Sequence, residues 1–352
     1  MNDQGTFIAA LLDSTRKAYA AGTALRVSES SPQVADALNQ FGFNEFVSDT
    51  EVRLRNLAEA LACGRPEVFL LDVEWLASTL ASRQASTDLL RATLSCLRDE
   101  LNDSLPTDAR PMADEYLGLA LEMLESPIPA PESCIAHVGP FDRLAKAFLV
   151  AVLEGKRSSA EKLIWDAVDS GASVSDLHSQ VVTQVQNELG RMWQIGESHV
   201  AEEHFGSRVV EDVLVMLRSR MVSEPENGHT VLLASVSGNL HDIGPRLVAD
   251  RFEMKGWRTI FLGANMPAND LVIGVKDFSP RMVALSVGQA LNLRSAAETI
   301  AALRTLQPDL PILVGGGPFT AIEGLWKDIG ADTFASDADS AVAFGQSLIS
   351  AK

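Results

Sequence analysis

Residues 230–244 (TVLLASVSGNLHDIG) decide the fold, because a continuous apolar run ends there in a polar, glycine-containing stretch. Three further short apolar runs follow it, at 259–262, 282–286 and 312–314. Such runs are typical of strands buried on both faces, and stretches of helical character alternate with them. The pattern therefore predicts a Rossmann-like, doubly wound parallel sheet over residues 230–352.

The chain before residue 230 is predicted to be helical, in two blocks. Apolar residues recur in both blocks at spacings of three and four residues. The alternating prolines Pro127, Pro129 and Pro131 cannot continue a helix and separate the blocks, and a second break follows at 224–228. The predicted domains are an N-terminal helical domain (1–125), a proline-rich linker (126–140), a block of four helices (141–222) and the sheet domain (230–352).

Charge and composition limit the classes of function. The 29 basic and 47 acidic side chains give a net charge of −18, a field that repels phosphates. Residues 1–125 carry twice as many acidic as basic side chains and show no DNA-reading motif, so we expect neither direct nucleic-acid binding nor membrane binding. The first residues lack the features of a signal peptide and the three cysteines form no CxxC pair, which predicts a cytoplasmic protein with reduced thiols.

Polar and glycine residues follow three of the predicted strands. His241 and Gly244 follow the first strand, Ser286 and Gly288 the third, and Gly315–Gly317 the fourth. Ligands of parallel sheets bind beyond the carboxyl ends of the strands. These loops are therefore where the chemistry of the protein is expected.

His241 has three interpretations from the residues alone. It is a loop histidine with a structural role, a ligand of the metal-dependent phosphohydrolases that carry the tetrad HDIG (241–244), or an axial ligand of a large, flat cofactor. The phosphohydrolase interpretation is rejected, because the tetrad here leaves a strand and the other histidines do not supply the helical ligand set. A cofactor is favoured by Gly244, which lets the backbone approach a bulky ring closely.

Together these loops resemble the cobalamin-binding domain family, whose fingerprint is Asp-x-His-x-x-Gly, then Ser-x-Leu, then Gly-Gly. The resemblance covers residues 230–352 and identifies this part as a candidate B12-binding domain. It implies that His241 is the lower ligand of cobalt, and that Ser286 and Gly315, Gly316 and Gly317 line the slot for the nucleotide tail. Asp242 and Gly244, beside the histidine, are implied cofactor contacts.

Two positions depart from that fingerprint. Asn239 stands where the family has Asp, and Gly288 stands where it has Leu. Both are still expected to contact the cofactor site. An amide raises the basicity of an imidazole less than a carboxylate does, so we expect a weaker and more exchangeable bond between cobalt and His241.

The helical block contains Trp193, nine intervening residues, then Glu203 and His204. This spacing resembles the four-helix cobalamin cap of the adenosylcobalamin photoreceptors. The resemblance implies that Trp193 packs over the adenosyl group, that Glu203 hydrogen-bonds it, and that His204 ligates cobalt after light removes it. The implied function is a light sensor rather than an enzyme, which signals to an unidentified signalling or regulatory protein as a homo-oligomer. A bilin such as biliverdin is a second chromophore that the resemblance allows.

Two other functions stay open from the sequence. A corrinoid carrier protein for methyl transfer uses the same helical cap and sheet, and a cobalamin storage protein needs only the binding site. The N-terminal helical domain also has two interpretations of equal weight: an output surface for another protein, or a scaffold or dimerisation module.

Overall fold

The computed structural model describes residues 3–135 and 139–350, so part of the predicted linker, residues 136–138, and the last two residues of the predicted sheet domain lie outside the described residues. The described chain contains three parts: an N-terminal helical domain, a helical cap, and a parallel sheet flanked by helices. The predicted fold class is confirmed, whereas the exact domain boundaries remain a prediction.

The N-terminal domain consists of six helices. They are α1 (Asp3–Ser28), α2 (Pro32–Phe41), α3 (Phe43–Cys63), α4 (Pro66–Ser82), α5 (Asp88–Ser104) and α6 (Arg110–Met123). Residues 1–125 were predicted to be helical, but α1 was not given bounds, because small residues such as Ala9, Ala20 and Ala24 form much of its buried face and give a weak periodic signal. Close packing needs these small residues, since a Cβ at Gly5 would lie 1.8 Å from the Leu61 carbonyl oxygen on α3.

The cap consists of four helical stretches with their own apolar core. They are α7 (Asp142–Leu153), α8 (Arg157–Asp169), a long helix built from α9 (Val174–Leu177), a π-helical turn (His178–Val182) and α10 (Thr183–Ile195), and α11 (Val200–Arg218). Gly155, Gly171 and Gly196 end the first three stretches, all with positive φ. The cap core includes Leu247 of the helix that follows the first strand, so the cap packs directly on the sheet domain.

The sheet has five parallel strands in the order β2-β1-β3-β4-β5. The strands are β1 (Thr230–Ser235), β2 (Arg258–Phe261), β3 (Met282–Ser286), β4 (Ile312–Gly315) and β5 (Thr333–Ala335). The helices of this domain are α12 (Ile243–Met254), α13 (Ala268–Phe278), α14 (Leu293–Leu306), α15 (Gly317–Ala321), α16 (Leu325–Asp328) and α17 (Ala338–Ser350).

Alternate residues of β1 face opposite sides of the sheet. Val231 and Leu233 pack in a cluster with residues of α12 and α17, whereas Leu232 and Ala234 pack with residues of α13 and α14. Helices therefore cover both faces, which explains why the strands have continuous apolar sequences. The chain leaves β1 toward β2 on one side and returns to β3 on the other, so a crevice opens between the loops after β1 and β3.

Gly324 adopts φ +76° between α15 and α16, so the chain forms two short helices here. Asp114 lies inside α6 and accepts hydrogen bonds from Arg98 and Asn102. Its carboxylate thus joins α6 to α5.

The N-terminal domain packs on the sheet domain through a buried ion-pair cluster. Arg294, at the start of α14, donates hydrogen bonds to Glu59 (2.8 Å) and Asp13 (2.6 Å). Apolar residues of the two domains also belong to one continuous core cluster. Within residues 3–135 and 139–350, no helix is both long and apolar enough to cross a membrane.

Candidate cofactor site

A cavity of about 580 Å³ lies at the carboxyl ends of the strands, between the sheet domain and the cap. Most residues predicted for the cofactor site line it: His241, Gly244, Ser286, Gly288, Gly315, Gly316 and Gly317. The strand register explains their proximity, because Ser286 of β3 pairs with Ser235 of β1 on one side and Gly315 of β4 on the other. The switch point of the sheet therefore forms the floor of the cavity.

His241 is held by Asn239, which is buried behind it. The Asn239 side-chain oxygen accepts the backbone N–H of His241 (3.1 Å) and lies 3.2 Å from the His241 ring atom Nδ1. The Asn239 amide nitrogen donates to the Ser286 carbonyl oxygen (3.1 Å). Both ends of the amide are thereby assigned, since a reversed amide would place its nitrogen against an N–H donor.

This hydrogen-bond pattern determines which tautomer the neutral imidazole adopts. An amide oxygen only accepts hydrogen bonds, so Nδ1 of His241 carries a proton, and in the neutral ring Nε2 has the lone pair. A neutral imidazole with a free Nε2 is a metal ligand, and the partner on the other nitrogen orients the ring. The position where the family has Asp is thus occupied by a residue that also satisfies the Ser286 carbonyl.

Two glycines permit this arrangement. A Cβ on Gly288 would lie 2.9 Å from the Asn239 side-chain oxygen and 3.3 Å from His241 Nδ1. The leucine expected from the family fingerprint would displace both side chains, so Gly288 and Asn239 fit each other. Gly316 has φ +127°, and a Cβ there would lie 1.9 Å from the Val287 carbonyl oxygen, so the β3 and β4 loops approach as closely as backbone allows.

The cap contributes the opposite wall through α10. Thr183 and Asn187, one helical turn apart, line the cavity. Gly190 continues this stripe, and a Cβ there would meet no atom of the described residues within 4 Å. The described residues therefore leave room for a side chain at Gly190.

The structure does not bring Trp193, Glu203 and His204 into the cavity. Trp193 lies at the end of α10 with its ring against Trp75 of the N-terminal domain (centroids 5.8 Å apart). His204 is 73% exposed, and its Nδ1 lies 2.7 Å from a Glu203 carboxylate oxygen. Asp242 also lies outside the cavity lining, at the residue that precedes α12.

The sequence analysis missed several cavity residues. Thr183 and Asn187 were not predicted, because other polar residues occur along the whole of α10 and these two look like part of an ordinary polar surface. Pro245 and Val248, on the first turns of α12, resemble ordinary core residues and gave no signal. Their role follows only from the way α12 passes beneath the cap.

The residues present fit a corrinoid. They provide one imidazole with a free Nε2, a cavity large enough for a nucleotide tail, and backbone without side chains at Gly315–Gly317. The cysteines are not alternatives as metal ligands here, since burial raises the pKa of the Cys63 thiol to about 12 and it lies in the N-terminal domain.

Comparison with known proteins agrees with this chemistry. Residues 229–343 match a family described as the B12 binding domain, and residues 144–218 match a second B12 binding domain family. A corrinoid protein of Desulfitobacterium hafniense is 25% identical over 206 residues, which cover 56% of this chain and 94% of the relative. The trimethylamine corrinoid protein of Methanosarcina barkeri is 28% identical over 192 residues, which cover 52% of this chain and 86% of the relative.

A solved structure supports the fold. The monomethylamine corrinoid protein of Methanosarcina barkeri has a TM-score of 0.53 and 16% sequence identity, and the match covers 59% of this chain and 99% of that chain. The first 143 residues of this chain lie outside both family matches. The N-terminal domain is therefore an addition to the part that the families describe.

The prediction of a light sensor is wrong. The relatives named above are corrinoid proteins, one of them named for trimethylamine, and the similar fold is that of a monomethylamine corrinoid protein. These names give no support to adenosylcobalamin in particular or to biliverdin. The light-sensor prediction came from the spacing between Trp193, Glu203 and His204. These residues lie in the cap but do not line the cavity. Residues 144–218 and 229–343, which lie in the cap and the sheet domain, match the B12-binding domain families, and these matches support cobalamin binding by this part of the chain.

Proposed function

We propose that this protein is a corrinoid carrier for methyl transfer, with cobalamin held between the cap and the sheet domain. The observation that carries the proposal is the His241–Asn239–Ser286 hydrogen-bond chain at the mouth of a glycine-lined cavity. A bound corrinoid supplies a cobalt centre that accepts a methyl group from one molecule and passes it to another. The methylamine names of relatives support methyl as the group transferred.

In this proposal the chain would hold and orient the cofactor. His241 would bind cobalt through Nε2, and Asn239 keeps the tautomer of the ring fixed. Gly315, Gly316 and Gly317 leave room for the nucleotide tail, and Ser286 marks the floor of its slot. Because Asn239 is uncharged, we expect ligation by His241 to be more readily exchanged than it would be with a carboxylate partner.

Thr183, Asn187 and Gly190 form the wall above the cofactor, and Trp193 lies at the end of the same helix. The rise of an α-helix places Trp193 about 15 Å beyond Thr183. Trp193, Glu203 and His204 stay candidates for contact with the upper ligand. The partners proposed are a protein that donates the methyl group and one that accepts it.

The test is methyl transfer by the purified full-length chain. Protein loaded with methylcobalamin carrying an isotopic label in the methyl group is mixed with a thiol in darkness, and the labelled thioether is measured. We expect the labelled thioether to form in darkness, so that transfer does not require light. Bound cobalamin that gives no labelled thioether would contradict the carrier proposal and favour storage.

His241→Ala tests the binding site, and Leu240→Ala is its matched control. Leu240→Ala changes an exposed side chain next to His241 (Leu240 is 73% exposed) without touching the hydrogen bonds of the loop. We expect Leu240→Ala to retain stoichiometric cobalamin binding, which is measured by equilibrium dialysis. His241→Ala is expected to bind cobalamin more weakly and to release it during gel filtration.

A further inference from the structure

Among the described residues, the N-terminal domain contacts the cap at the end of α10. The Trp75 and Trp193 rings lie 5.8 Å apart and are tilted by 36°. Arg83 donates a hydrogen bond to the Trp193 carbonyl oxygen (2.8 Å), and Gln194 donates one to the Ser78 hydroxyl (3.0 Å). These contacts connect α4, and Arg83 directly after it, to the last turn of α10.

Trp193 lies at the boundary between the cap and the N-terminal domain. Met192, its neighbour, packs against the cap core, but Trp193 belongs neither to that core nor to the side chains packed on it. Trp193 instead lines a second cavity, together with Arg83 of the N-terminal domain and Val200 of the cap. Trp75 keeps 40% of its surface exposed, so the ring pair borders solvent, and the Trp75 ring is one of the contacts that position Trp193.

The other side of the N-terminal domain is fixed to the sheet domain. Arg294 donates hydrogen bonds to Glu59 and Asp13, and Arg65 donates one to Asp328 (2.9 Å). Arg294 follows the β3 loop whose Gly288 lines the cavity. The N-terminal domain therefore contacts both the sheet domain and the cap, the two parts that form the cavity.

α10 itself connects these contacts to the cavity, because Thr183 and Asn187 on the same helix line it. Gly190 lies one turn before Trp193 on α10, and the position of its missing side chain is open among the described residues. A ligand on the upper side of the cofactor would therefore meet α10 between Asn187 and Trp193.

We infer that Trp75 is a positioning residue for Trp193, through which the N-terminal domain forms part of the upper wall of the cobalamin site and selects the size of the upper ligand. The inference rests on the proposed cobalamin site. It assigns a role to a domain that lies outside both family matches. Coupling of this kind is reciprocal, so a change of upper ligand also alters the Trp75 contact.

The test uses the full-length chain with cobalamins of different upper ligand. The ratio of dissociation constants for adenosylcobalamin and methylcobalamin is measured for the wild type, Trp75→Ala and Trp75→Phe. Because an aromatic pair contributes a modest energy beyond its buried area, we expect Trp75→Ala to change the ratio by about 3- to 10-fold, and Trp75→Phe to restore most of it. Phe7→Ala, at another exposed aromatic of the same domain (58% exposed), is the matched control and should leave the ratio unchanged.

A second readout reports the contact itself. The chain is labelled with 5-fluorotryptophan, and the fluorine resonances of Trp75 and Trp193 are assigned by their loss in Trp75→Phe and Trp193→Phe. Both resonances should shift when methylcobalamin is replaced by adenosylcobalamin. Normal cobalamin binding with an unchanged Trp75 resonance, or an unchanged affinity ratio in Trp75→Ala, would overturn the inference while leaving the proposed function intact. Failure of the wild type to bind any cobalamin would overturn the proposed function itself.

Discussion

At the scale of single residues, the fit between Asn239 and Gly288 matters most. Comparison of the sequence with the fingerprint of the cobalamin-binding domain family treats Asn239 and Gly288 as two unrelated departures. The structure shows that they are neighbours, since the Asn239 oxygen occupies the space next to the missing Gly288 side chain. The sequence could predict that both positions lie near His241, but it could not predict that they depend on each other, because they are separated by a strand, two helices and a further strand.

Gly288→Ala should disturb the histidine without unfolding the protein. The new methyl group would lie 2.9 Å from the Asn239 oxygen, so the amide and the His241 ring must move. We expect cobalamin affinity to fall by about 10-fold, equivalent to about 1.4 kcal/mol, measured by equilibrium dialysis. Gly274→Ala on α13 is the control, because its Cβ would meet only ordinary contacts at 3.6 Å or more. Equal affinities for the two variants would show that the Asn239–His241 geometry is unimportant for binding.

At the scale of elements, α10 and the π-helical turn before it determine the upper half of the site. Periodicity predicted that this block is helical, and the helix is present. Periodicity could not show which face of the helix is open to a ligand, because Thr183, Asn187 and Gly190 look like an ordinary polar surface. Only the packing of the cap on α12 directs that face toward the cavity.

Filling the space at Gly190 should separate folding from binding. Gly190→Leu places a large side chain in the open space next to Gly190 and also replaces a glycine within a helix. We expect the free energy of unfolding without cofactor to rise by about 0.5–1 kcal/mol, and cobalamin binding to be lost. Urea unfolding and equilibrium dialysis check the two parts. Gly190→Ala, which adds little volume, should raise stability to a similar extent and retain binding.

His178, in the π-helical turn, makes the cap sensitive to acid. Burial, aided by nearby Arg251, Arg218 and Arg246, lowers the pKa of His178 to about 4. The unfolded chain takes up this proton below about pH 6.5 while the folded chain does not, so the wild type loses stability as the pH falls toward 4.

His178→Gln removes this titration. Between about pH 7.5 and about pH 5, we expect the wild type to lose on the order of 2 kcal/mol more of its free energy of unfolding than the variant loses. The measurement is urea unfolding of both proteins at the two pH values. Parallel losses would mean that His178 is not buried as a neutral group.

At the scale of the whole molecule, the N-terminal domain holds the sheet domain and touches the cap. The sequence predicted that it is helical and acidic, but neither of the two roles considered for it, output or scaffold, follows from those properties. Its docking depends on long-range pairs such as Arg294 with Glu59, which are 235 residues apart. Such pairs leave no local pattern in the sequence, so the arrangement of the domains could not be predicted from it.

Removing Arg294 should loosen that arrangement. Burial raises the pKa of Glu59 to about 7, with Arg294 opposing the shift, so Glu59 becomes charged as the pH rises through about 7. We expect Arg294→Ala to lower the free energy of unfolding by about 3 kcal/mol at about pH 8, because a buried carboxylate would lose its partner. The loss should be smaller at about pH 5.5, where Glu59 is already protonated. Urea unfolding at both pH values checks this, and a loss below about 0.5 kcal/mol at the higher pH would show that the pair does not stabilise the interface.

The central claim, that His241 binds the cobalt of a cobalamin held between cap and sheet, is tested most directly by electron paramagnetic resonance. The full-length chain is labelled with ¹⁵N-histidine, loaded with unlabelled cobalamin and reduced to the cobalt(II) state. The structure predicts that each cobalt line splits into a doublet from one ¹⁵N nucleus, and that His241→Ala loses the doublet. A triplet, which reports the unlabelled nucleotide base of the cofactor, or a spectrum unchanged in His241→Ala, would contradict the claim.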